Sequence, residues 1–192
     1  MLRPFLLFVL LLLTPSFAWG QQTMREEPVV LSDSQETVKT STTLLCLVPS
    51  AAGLATALVR EDWEGVRQLA LSSATALAAN YALELTIRKD RPDGTEHHSM
   101  PSTHTLVAFS GASFIQRRYG WQWGVPAYAL STYVAWGRVY SKRHDVWDVL
   151  VGAGIGVGAT YLFTRSLSHD AQFSVSPIAS SEAYGMHMAL TF

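Results

Sequence analysis

Arg91, His104, Arg138, His144 and Asp148 are the residues of this chain whose types and spacing suit them to chemistry. They fall in three short clusters: Arg91-Pro92, then Pro101-Ser102-Thr103-His104, then Arg138 through Asp148. A guanidinium presents a planar fork of donors that matches phosphate oxygens, so Arg91 and Arg138 can hold a phosphoryl group. Two imidazoles can divide its nucleophilic displacement and its proton transfers between them. A carboxylate four residues after His144 can orient that ring. Together these groups suit transfer of a phosphoryl group through a covalent histidine intermediate.

The local sequence around each cluster is consistent with that reading. If a helix starts near His144, Asp148 lies one turn along on the same face. Its carboxylate can then accept a hydrogen bond from one ring nitrogen and leave the other free to attack. Asp145 is a good helix-start residue in its own right. Pro101 ends the preceding loop, and Ser102 or Thr103 can cap the helix that follows, with backbone N–H groups facing an anion. His104, in that first turn, can protonate a departing alkoxide. Each cluster alone also fits a plain structural role: a surface His–Asp pair, a capped helix with an ordinary histidine, an arginine ending a helix before proline. The chemical reading rests on all three occurring in one chain.

In this order and at these internal spacings the residues resemble the type 2 phosphatidic acid phosphatase superfamily, which also includes vanadium haloperoxidases, and most of all its bacterial membrane-associated members. The family pattern is a Lys seven residues before Arg-Pro, then Pro-Ser-Gly-His, then Ser-Arg with five residues to His and three more to Asp. The resemblance runs from about Tyr81 to Gly158. It implies an all-α helical bundle that needs no metal or cofactor and acts on lipid phosphates or diphosphates. It implies His144 as nucleophile, Asp148 as its orienting partner and His104 as general acid. Arg91 and Arg138, with the N–H groups around Ser102 and Thr103, would hold the phosphoryl oxygens. Three positions depart from the pattern. Glu84 stands at the Lys position, Thr103 at the Gly and Gly137 at the Ser. A carboxylate at 84 repels a phosphoryl group, by ~4 kcal/mol for unit charges 4 Å apart in a surface-like dielectric. It can pair with Arg88 or Arg91, and Arg88 or Lys89 can supply the missing charge from the next turn. Two alternatives follow: a catalytically weakened phosphate- or lipid-binding relative, and a vanadate-dependent peroxidase, which the missing Lys and the small size disfavour.

Five apolar segments must position these residues: Leu44 to Val59, Trp63 to Lys89, His104 to Arg117, Trp121 to Tyr140 and Val146 to Thr164. Pro49 predicts a kink in the first, and the Ala- and Leu-rich second predicts the longest helix. Short joints holding Gly, Pro or charge suit helix–helix connections. The predicted architecture is a bundle of about five helices over residues 39–166. A polar extension over 21–38 precedes it. A tail over 167–192 follows, where Phe173, Val175, Met186, Met188, Leu190 and Phe192 alternate with polar residues as in a β-hairpin.

Charged residues make up 15% of the 192 and apolar residues 48%, against ~25% charged in soluble domains, which tilts the chain towards a membrane. Residues 1–20 read as an export signal, with Arg3, an apolar core from Phe5 to Leu13, and Ala18-Trp19-Gly20 as the cleavage region. An uncleaved anchor is the other reading of that stretch. If the mature N-terminus lies outside, five crossings put all three clusters on the outer, periplasmic side and Arg117, Arg118 and Arg165 inside. A soluble periplasmic bundle is the rival arrangement. A net charge of −1 with no basic stripe argues against nucleic acid. Gly152, Gly154, Gly156 and Gly158 mimic a dinucleotide loop but follow no strand, so they predict close helix packing. His97 and His98 lack partners at metal spacing and predict a polar loop. Trp121, Trp123, Trp136 and Trp147 predict interfacial or core anchors, and Cys46 a buried thiol.

Overall fold

The computed structural model describes residues 29–94 and 97–167, together with the backbone of two strands at 172–179 and 184–191. Residues 1–20, expected to be an export signal, and the first residues of the polar extension lie outside the described residues. Six helices follow in order: α1 (Asp33–Leu45), α2 (Val48–Val59), α3 (Trp63–Thr86), α4 (Thr103–Tyr119), α5 (Trp121–Tyr140) and α6 (Val146–Phe163). Strands β1 (Gln172–Ala179) and β2 (Tyr184–Thr191) pair antiparallel, with Gln172 opposite Thr191 and Ala179 opposite Tyr184.

Helix formation starts earlier than the apolar pattern predicts. Ser32 and Gln35 form a capping box at the head of α1, so the polar residues from Asp33 to Val38 are helical. Reciprocal satisfaction of the first N–H groups offsets their lack of apolar character. The expected kink resolves into a break at Cys46–Leu47. Pro49 sits in the first turn of α2, the one place where its missing N–H costs nothing. α1 and α2 still run on as a 27-residue stretch apolar enough to cross a membrane, as is the 18-residue α6. Counting that stretch once, the bundle has the expected five members.

α4 is the central helix and packs on α2, α3, α5 and α6. Leu106, Ala108, Ala112 and Phe114 on it are all 1% exposed or less. The glycines of α6 serve that packing. A Cβ on Gly152 would lie 2.5 Å from the Ser102 carbonyl oxygen, and one on Gly156 would lie 2.5 Å from that of Leu106. Only a missing side chain lets the two backbones approach so closely.

The two ends of the bundle differ. One gathers the start of α1, the segment after α3, the starts of α4 and α6 and the end of α5, and so holds every chemical cluster. The other is closed by a buried ion pair. Arg118 donates from Nε to Asp62 Oδ2 at 2.8 Å and from Nη2 to Oδ1, and from Nη1 to the Arg165 carbonyl at 3.0 Å. Asp62 also accepts from the Gly65 N–H and the Tyr119 hydroxyl. The Arg118 bonds outweigh burial and hold the Asp62 carboxyl below the usual carboxylate range. The four tryptophans are all more than half exposed, so they are not core anchors. Trp121 and Trp123 flank one end of α5; Trp136 and Tyr140, stacked on each other, flank the other.

Candidate active site

α6 begins at the capping box of Asp145 and Asp148. Asp145 Oδ1 accepts the N–H groups of Trp147 and Asp148, and Asp148 Oδ2 accepts that of Asp145 at 3.0 Å. Asp145 is therefore a helix cap, and Asp148 sits fully buried in the first turn. The preceding loop turns through Lys142 at φ 54°, with the N–H groups of Arg143 and His144 both returning to the Arg138 carbonyl. That turn ties Arg138, at the end of α5, to His144, which is 3% exposed.

His144 is held first by a backbone carbonyl, with Asp148 beside the same ring nitrogen at ion-pair distance. Nδ1 lies 2.7 Å from the Ser99 carbonyl oxygen and 3.7 Å from Asp148 Oδ2. A carbonyl only accepts, so Nδ1 carries the proton and Nε2 keeps the lone pair. The carboxylate is drawn elsewhere. Asp148 Oδ1 receives Lys89 Nζ at 2.6 Å, and Oδ2 receives the Ser99 hydroxyl. Lys89 also binds Asp145. Burial by itself lowers the Lys89 ammonium, but its bonds to the two carboxylates win and hold it above the ordinary lysine range. Lys89 is thus committed to carboxylates, whereas its sequence position suggested a charge for the phosphate.

The second cluster differs in one respect from expectation. Ser102 is the N-cap of α4, but its own N–H donates to the Asp148 carbonyl at 2.9 Å and its hydroxyl pairs with Thr105. It does not face an anion. The first helical bond of α4 runs from Leu106 N–H to the Ser102 carbonyl, so the N–H groups of Thr103, His104 and Thr105 have no partner within the helix. Thr103 Oγ1 accepts Asn80 Nδ2 at 3.0 Å; the same amide stands 3.5 Å from Glu84 Oε2. Glu84 is half-buried on α3, and Arg88 points out exposed.

Three arginines and His144 act electrostatically on His104. Arg138, His144, Arg91 and Arg143 all lie within its electrostatic reach, and Arg138 within that of Arg143 and Arg91. Arg138 is 3% exposed and gives Nη1 to Thr43 Oγ1 at 3.1 Å, while its buried Nε has no hydrogen-bond partner among the described residues. A buried guanidinium N–H of that kind costs free energy unless an acceptor arrives. Arg143 donates to the buried Asp93 at 2.8 Å. This concentration of positive charge beside two imidazoles suits an anion with several oxygens. No group of three metal-ligating side chains occurs among the described residues.

A model of the PAP2 superfamily matches residues 70–170. The chain belongs to the PAP2 superfamily. It is 33% identical over 118 residues to the lipid A 4'-phosphatase of Helicobacter pylori, a match covering 56% of this chain and 60% of that protein. It is 38% identical over 71 residues to the lipid A 1-phosphatase of Porphyromonas gingivalis, covering 35% of this chain and 16% of that one. The chain thus spans less than two thirds of the length of these curated relatives. Two solved structures share the fold. Aquifex aeolicus LpxE superposes with a TM-score of 0.54 at 20% identity, over 66% of this chain and 84% of that one. The transmembrane PAP2 type phosphatidylglycerolphosphate phosphatase of Bacillus subtilis gives 0.57 at 22% identity, over 84% and 91%. PAP2 membership agrees with the clusters on which the sequence resemblance rested. Ser99, Asn80, Thr43 and Arg143 join the site unannounced. Of these, only Arg143 carried a sequence signal, as part of the basic run Lys142-Arg143-His144.

Proposed function

We propose that this PAP2 protein is a membrane-embedded lipid phosphatase that works through a phosphohistidine at His144. The observation that carries the proposal is the bond from His144 Nδ1 to the Ser99 carbonyl, which leaves Nε2 as the nucleophilic atom, in a ring tied by one turn to the buried guanidinium of Arg138. In the first step Nε2 attacks phosphorus, the bond to the lipid oxygen breaks, and His104 delivers a proton to that oxygen. In the second, His104 takes a proton from water, the hydroxide attacks phosphorus, and the P–N bond breaks to release phosphate and His144. The arginines and the free N–H groups at the head of α4 stabilise charge on the equatorial oxygens throughout.

The membrane setting has its own support. Trp121 and Tyr140, at opposite ends of α5, lie ~28 Å apart by helical rise, close to the ~30 Å hydrocarbon thickness of a bilayer. Exposed aromatics at both ends suit the two interfaces. The chemical end would face the periplasm, with Arg117 and Arg165 on the cytoplasmic side. The substrate class is a lipid-linked phosphomonoester or diphosphate, and the relatives' names make lipid A phosphates the first to test.

Glu84 favours a second reading, a relative that binds phosphorylated lipid with weakened turnover. Phosphate release by wild type, His144→Ala and Glu84→Lys separates the two. Turnover well above the His144→Ala background, with acid-labile radiolabel trapped on wild type alone, supports the enzyme. Equal rates in wild type and His144→Ala refute it. A large gain in Glu84→Lys over a weak wild type identifies the attenuated relative.

A further inference from the structure

Lys89 holds a position that no phosphate contact explains. It follows α3 and is half-buried. Its ammonium sits between two carboxylates, with Asp148 Oδ1 at 2.6 Å and Asp145 on the other side. Its backbone carbonyl accepts the Ser99 N–H at 2.9 Å. Ser99 is fully buried, and its hydroxyl returns to Asp148 Oδ2. The segment carrying Ser99 is therefore gripped twice by one residue, directly through the backbone and indirectly through Asp148. What that grip places is the Ser99 carbonyl oxygen, 2.7 Å from His144 Nδ1.

Resting on the phosphohistidine reading of this site, we propose that Lys89 and Ser99 are positioning residues for His144. Between them they fix the Asp148 carboxylate and the Ser99 carbonyl beside His144 Nδ1. The physical reasons are two. A buried carboxylate without its cation is an uncompensated charge. With Lys89 gone, Asp148 would draw the Nδ1 proton from its present 3.7 Å and swing the ring off the Ser99 carbonyl. Second, the two carboxylates already engage the ammonium, whereas the buried Arg138 gives its Nη1 to a neutral hydroxyl and keeps its charge for the phosphate. Lys89 is then not a substitute for the cation missing at Glu84. The two roles make opposite kinetic predictions, since a phosphate ligand sets affinity whereas a positioning residue sets the rate of the displacement.

The test uses the full chain in detergent micelles, with phosphatidic acid as substrate and vanadate as competing phosphate mimic. Lys89→Met is expected to lower kcat about 100-fold, the effect of misplacing a reacting group by roughly an ångström. KM and the vanadate inhibition constant should stay within about threefold. Lys89→Arg, which keeps the charge, should recover at least about tenfold of the lost rate, and Ser99→Ala should fall between. A second measurement needs no turnover. In proton NMR of the histidine-labelled protein, the His144 Nδ1–H resonance should move downfield in Lys89→Met, as its acceptor changes from the Ser99 carbonyl to the Asp148 carboxylate. A vanadate constant raised more than about tenfold in Lys89→Met with kcat preserved overturns the proposal, as does an unchanged His144 Nδ1–H resonance. Should wild type release no more phosphate than His144→Ala, the phosphatase reading falls while the Nδ1–H resonance still decides this one.

Discussion

Replacing Gly152 by alanine tests whether α6 and the head of α4 form one rigid unit that places the site. The new Cβ would lie 2.5 Å from the Ser102 carbonyl oxygen and 3.3 Å from that residue's nitrogen and carbonyl carbon. The first contact falls nearly an ångström short of ordinary van der Waals distance, and the obstacle is backbone, which no rotamer change can move aside. The helices must part. The bond that spans this contact, Ser102 N–H to the Asp148 carbonyl at 2.9 Å, stretches with them. Overpacking of this kind costs ~1–3 kcal/mol. A shift approaching an ångström at a reacting group costs about 100-fold in rate. Gly156→Ala is the matched control. Its Cβ would meet the Leu106 carbonyl oxygen at the same 2.5 Å, one turn farther from the site. Thermal unfolding in micelles should show similar destabilisation of both variants. Phosphate release at a temperature where both are folded should fall about 100-fold in Gly152→Ala and less than about tenfold in Gly156→Ala. Equal activity loss in the two, or wild-type stability and activity in Gly152→Ala, would refute the claim that this contact registers the site.

Two other outcomes are expected. Asp62→Asn should lower stability by ~3–5 kcal/mol, the cost of breaking a buried ion pair, while Asp62→Leu combined with Arg118→Met should recover most of the loss, since an apolar pair leaves no stranded charge. Because the folded Asp62 carboxyl titrates below its ordinary value, its stabilisation is present above the usual carboxylate range. It disappears as pH falls through the lowered value, so acid melts of wild type and Asp62→Asn should converge. Thr43→Val removes the hydroxyl that accepts Arg138 Nη1 and leaves a second buried guanidinium donor short of a partner, worth ~1–3 kcal/mol. Vanadate inhibition should weaken by about fivefold or more with the fold retained, and unchanged inhibition would show that α1 plays no part in holding Arg138.

The order of residues was enough to read off the set of elements and the side chains whose type is their chemistry. Helix-forming composition, prolines and capping residues act locally, so the five-membered bundle and most of its joints were legible without coordinates. The polar start of α1 was less so, because a capping box between Ser32 and Gln35 outweighs an unfavourable apolar pattern. Arg91, His104, Arg138, His144 and Asp148 stood out because guanidinium, imidazole and carboxylate groups at those spacings suit phosphoryl transfer.

Only the tertiary structure decided how those groups are wired. His144 and Asp148 look like a hydrogen-bonded pair on paper, four residues apart. Yet the loop before α4 brings the Ser99 carbonyl closer to the ring nitrogen than the carboxylate, and Lys89, 59 residues before Asp148, shares that carboxylate's charge. Ser99 acts through a backbone oxygen, which every residue possesses, so no side-chain pattern could mark it. Thr43 reaches Arg138 across 95 residues of chain, and Asn80 reaches Thr103 across 23. Contacts of that range depend on how helices pack, and packing depends on shape complementarity summed over the whole core, which a linear reading of residue types does not contain.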